Sequence, residues 1–122
     1  MAELDGLFEE LDALYRNRAP VDEKDPKKIV ELIIRNRVKV SNLLGGIVAA
    51  AKSDPRVAAD PAFSAELTER LFFIRQTASK LQVKWSLEEI EKNRAAYRAE
   101  SMELSGPLED FIYWSRKELG SR

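Results

Sequence analysis

The sequence predicts an all-α fold, a bundle of four to five helices with a central antiparallel hairpin of the second and third. Three observations predict it. Apolar residues recur at spacings of three and four along most of the chain, and no stretch alternates as a half-buried strand would. Asp-Pro pairs stand at 25–26, 54–55 and 60–61. In such a pair the Asp carboxylate can cap free amides and the Pro ring suits the first helical position. With 122 residues the chain is expected to form a single domain, its helices near 3–18, 26–52, 61–85, 87–104 and 108–119.

The first helix places Leu4, Leu7, Phe8, Leu11, Leu14 and Tyr15 on one face. Acidic residues crowd its start and Arg16 and Arg18 its end, which complements the helix dipole. The second helix carries a heptad-like stripe of Ile29, Ile33, Asn36, Val40, Leu43, Ile47 and Ala51. Val30, Ile34 and Val38 widen it, so this helix is expected to pack on two sides. Gly45-Gly46 either kinks it or lets a neighbour approach closely; the continuous helix is the preferred reading.

The third helix has Leu67, Leu71, Ile74, Ala78, Leu81 and Trp85 on one face. Its Leu71-Phe72-Phe73-Ile74 run points in every direction, which predicts a helix enclosed on all sides. Ser86 and Glu89 fit a capping box opening the fourth helix. That helix has only a narrow apolar stripe of Leu87, Ile90, Tyr97 and Leu104, and Ser105-Gly106-Pro107 is expected to end it. The fifth helix carries Phe111-Ile112-Tyr113-Trp114, again apolar all round.

Composition removes several function classes. The chain has no cysteine and no histidine, so thiolate chemistry, disulfides and the commonest general base are absent. The expectation leans away from an enzyme: no catalytic residue, metal site or cofactor is assigned. Glu9, Glu10, Glu88, Glu89 and Glu91 are read as dipole and capping residues, since helical di-metal sites pair Glu with His. Twenty basic residues balance twenty-one acidic ones. The N-terminal residues lack the basic flank and apolar run of a signal peptide, and nothing approaches the roughly 18 apolar residues of a membrane span. The expected setting is therefore soluble and cytoplasmic, with no membrane partner.

Three surfaces remain as candidates. Phe111, Ile112, Tyr113 and Trp114 exceed what one short helix can hide, and Leu4, Leu7 and Leu11 offer a coiled-coil-like edge. Together they predict contact with another protein or a second copy of the chain. Antiparallel pairing of helices two and three brings Asn36 opposite Ala78 to Gln82. Arg35, Asn36, Lys39, Arg75, Lys80 and Gln82 then form a candidate site for a small carboxylate or phosphate. The plainer reading there is a register-setting Asn and cations reaching solvent. A basic run of Lys24, Lys27, Lys28, Arg35, Arg37 and Lys39 could meet phosphates. It lacks interleaved aromatics for base stacking, so nucleic acid ranks last. The leading expectation is a non-enzymatic interaction, adaptor or regulatory module, working as a homodimer. An enzyme or sensor for a small anion is the alternative.

Overall fold

The structure, a computed structural model, describes residues 2–16 and 25–122. Six helices form among them: α1 (Ala2–Arg16), α2 (Pro26–Ser53), α3 (Pro55–Ala58), α4 (Pro61–Lys84), α5 (Leu87–Lys92) and α6 (Arg94–Gly120). The fold is an all-α helical bundle, as expected. Arg18 and Lys24 lie outside the described residues.

Each Asp-Pro pair starts a helix. The carboxylates of Asp25, Asp54 and Asp60 accept from the amides of Lys27 (3.0 Å), Arg56 (2.9 Å) and Phe63 (3.1 Å). Ser86 caps α5 by accepting from the Glu89 amide at 3.2 Å. Gly45-Gly46 does not break α2. A methyl group on Gly46 would meet Leu7 of α1 at 3.5 Å, ordinary contact, and one on Gly45 would meet nothing within 4 Å.

Two expected boundaries are corrected. Ser105-Gly106-Pro107 does not end a helix, because α6 runs through Pro107. Proline removes one backbone donor and crowds the preceding turn, at a cost of about 3 kcal/mol, but its fixed φ is itself helical. Phe111, Ile112 and Leu119 are buried after Pro107, and that burial outweighs the local preference. The break falls instead at Asn93, whose side chain accepts from the Ala96 amide at 3.2 Å.

The four long helices run up, down, up and down. Leu7 lies against Gly46, while Leu11 and Tyr15 share a cavity with Asn36 and Arg37, so α1 and α2 are antiparallel. Arg37 on α2 reaches the carbonyl of Trp85, just past α4, at 2.8 Å, the antiparallel hairpin expected from the sequence. Phe63 meets Trp114, and the Trp85 indole donates to Glu100 at 2.7 Å, so α4 and α6 are antiparallel too. Phe8 against Phe111 and Asp12 with Arg116 close the ring between α1 and α6.

Leu4, Phe8, Leu11, Leu44, Ile47, Phe63, Leu67, Leu71, Ile74, Phe111, Ile112 and Leu119 fill the core. Enclosure of α4 on all sides is not observed. Leu71 and Ile74 are buried, but Phe72 and Phe73 are 65% and 55% exposed. With α2, α3 and α6 packed against it, one side of α4 has no helix among the described residues against it.

At one end of the bundle Arg56 joins three segments. It meets buried Asp54 at 2.8 Å, Asp5 of α1 at 3.1 Å, and the Leu119 carbonyl of α6 at 3.5 Å. Arg122 adds a second tie to Asp60 at 2.7 Å and lies 4.1 Å over the Phe63 ring.

Candidate functional site

Two features stand out: the uncovered side of α4 and a cavity between the long helices. The first follows from helical geometry. Glu66, Glu69, Phe73, Gln76 and Lys80 fall within one narrow arc of α4, with Phe72 and Val83 at its edge, and all are exposed. Acidic residues precede the aromatic pair and the basic residue follows it. Beside this arc, a groove of about 520 Å³ runs between α4 and α6. Phe73, Ile74, Pro107 and Phe111 give it apolar walls, and Glu66, Glu69 and Asp110 stand at it.

The cavity, of about 120 Å³, lies where α1, α2, α4 and α6 face one another. Its polar groups are Tyr15, Asn36, Arg37, Gln82, Tyr97, Ser101 and Ser105. Leu11, Leu14, Leu81 and Leu108 line much of the remainder. Arg37 is half-buried and donates to the Trp85 carbonyl; its guanidinium lies 5.8 Å from the Tyr97 ring centre. Tyr97 in turn meets Trp85 edge-on at 5.7 Å. Glu100 binds Lys84 and the Trp85 indole, and these two partners, Lys84 first, hold its carboxyl below the ordinary value. Among the described residues no carboxylate pairs with Arg37.

The sequence-predicted site residues are distributed unevenly over these features. Leu4, Leu11, Phe111 and Ile112, expected to meet a partner, are buried in the chain's own core, and Leu7 packs against it. That expectation is corrected, because α6 is long enough to lay this segment between α1 and α4. Trp114 is half covered, tilted against Phe63 with ring centres 5.5 Å apart and under the Arg70 guanidinium at 4.2 Å. Only Tyr113, 69% exposed, faces outward. Of the expected anion-binding group, Asn36 and Gln82 line the cavity. Arg35, Lys39, Arg75 and Lys80 are exposed and do not line it. The cation at the cavity is Arg37, which the sequence reading had placed on the basic surface.

Glu88 and Glu89 lie 3.5 and 3.9 Å from Lys92. Among the described residues no three acidic side chains gather as a metal site, and no helix is long and apolar enough to cross a membrane. Tyr97, read as part of an apolar stripe, Ser105, read as a helix end, and Ser101 are not assigned to a site from the sequence, because their place at the cavity depends on where α6 lies beside the α2–α4 hairpin. Spacings of four from 97 to 101 to 105 were the available signal.

The fold and its two features define an all-α up-and-down bundle with an unpaired helix face. Comparison with protein-family models, curated proteins and solved structures finds no match to this chain.

Proposed function

We propose that this chain is a non-enzymatic interaction module of a reducing cytoplasm that works as a homodimer, joined through the uncovered face of α4. One observation carries the reading: two adjacent phenylalanines stand exposed at the middle of a face whose charges are opposite on either side. In an antiparallel pairing of two α4 helices about a two-fold axis at Phe73, Glu66 and Lys80 are each seven residues from the axis. Glu66 of one copy then lies by Lys80 of the other, twice over, with the aromatic residues between them. A two-fold interface must be self-complementary, and this face meets that demand in both charge and apolarity. Burying aromatic rings at its centre supplies the main driving force.

The test is sedimentation equilibrium at micromolar concentration. A dimer is expected for the natural sequence. Phe73→Glu should give a folded monomer with unchanged helical circular dichroism, because Phe73 is 55% exposed and lies outside the buried core cluster. Lys80→Glu should weaken association and Glu66→Lys added to it should restore it. A strict monomer at every concentration, or a dimer indifferent to Phe73→Glu, would sink the reading.

A further inference from the structure

We infer that the cavity beside Arg37 is a binding site for a small monocarboxylate carrying a compact apolar tail. Among the described residues Arg37 is the only cation lining the cavity and meets no carboxylate, and it is half-buried. A guanidinium withdrawn from water is normally matched by a fixed anion, since the desolvation it suffers is recovered only through a charged partner. Here it has a backbone carbonyl and an aromatic ring, both neutral. The planar fork of its N–H groups matches a carboxylate in two-point geometry.

The surroundings select within the class of anions. Asn36, Gln82 and Ser101 bring neutral donors from three different helices to the same cavity. Leu11, Leu81 and Leu108 form apolar walls that a fully hydrated phosphate would leave unused. A cavity of about 120 Å³ is somewhat smaller than the roughly 150 Å³ that accommodates benzene. The fit is to a carboxylate with a short branched aliphatic tail and no ring, its head on Arg37 and its tail between the leucines.

The site is separate from the face of α4 that joins the two copies, so each reading can fail alone. The experiment is isothermal titration of the full chain with 3-methylbutanoate, 2-methylpropanoate and inorganic phosphate at matched ionic strength. Saturable binding of one or both carboxylates is expected, with phosphate much weaker. Arg37→Gln should weaken it about tenfold or more, the loss of a charge-assisted contact. Ala78→Leu, which fills the cavity from α4 while keeping every polar group, should abolish it. If Arg37→Gln fails to fold, Ala78→Leu decides. No saturable binding of either carboxylate overturns the inference. So does binding that survives both substitutions, or phosphate binding at least as tightly as the carboxylates.

Discussion

Asp54 concentrates several roles in one side chain. It is buried, it caps α3, and it holds Arg56 through both carboxylate oxygens, at 3.1 and 2.8 Å. The Arg56 side chain, above all, keeps its carboxyl below the ordinary aspartate value, with burial opposing and the Arg56 amide assisting. A carboxylate whose folded pKa is depressed stabilises the fold fully above its unfolded value near pH 4, and loses that contribution as pH falls through the folded value. The natural protein should therefore lose stability on acidification below about pH 4. Asp54→Asn, which keeps the cap and removes the charge, should cost about 2 kcal/mol at neutral pH. It should also flatten that acid limb, as read by urea unfolding at several pH values. A mutant with the acid dependence of the natural chain would remove Asp54 from this role.

Among the elements, α2 and α6 show opposite relations between local preference and packing. Gly45 sits in an α2 that is helical in spite of it, and a methyl group there meets empty space. Gly45→Ala should add about 0.5–1 kcal/mol from helix propensity alone, raising the melting temperature by about 2–4 °C in a thermal scan. A loss of stability would mean that a neighbour needs the bare backbone. In α6 the sequence signal at Ser105-Gly106-Pro107 was genuine, but tertiary burial of Phe111, Ile112 and Leu119 after it prevailed. Asn93 carried the true boundary in its capping preference, and the apolar periodicity around it was too thin to draw notice. Four consecutive apolar residues occur in both α4 and α6 and look alike on a helical wheel. Only the neighbours decide that α6 hides three of its four at least in part, while α4 leaves both phenylalanines out.

Taken as a whole, the bundle was legible in class, in helix starts and in the antiparallel hairpin that sets Asn36 opposite Ala78 and Gln82. That pairing follows from counting back equally from a short turn, which a sequence permits. The cavity's remaining polar wall was not legible, because it depends on where a third helix lies beside that hairpin. Nor was the exposed side of α4, since periodicity states which residues are apolar and says nothing about how many neighbours arrive. The core draws on every long helix, and Arg56 joins α1, the α2–α4 turn and α6. Hydrogen exchange should accordingly show the most protected amides of α1, α2, α4 and α6 exchanging together, with one opening free energy. Separate classes for α1 and for the α2–α4 hairpin would show that the core is not one cooperative unit.

The contact of Phe8 with Phe111 has a consequence in time as well as in space. During synthesis α1, α2 and α4 are made before Phe111 is translated, roughly 5 to 20 seconds after Phe8 at ordinary elongation rates. Through that interval Phe8 and Phe63 lack the aromatic partners that α6 brings them. The nascent chain is thus most vulnerable to aggregation just before its last helix appears, when the greatest apolar area is displayed and nothing yet covers it.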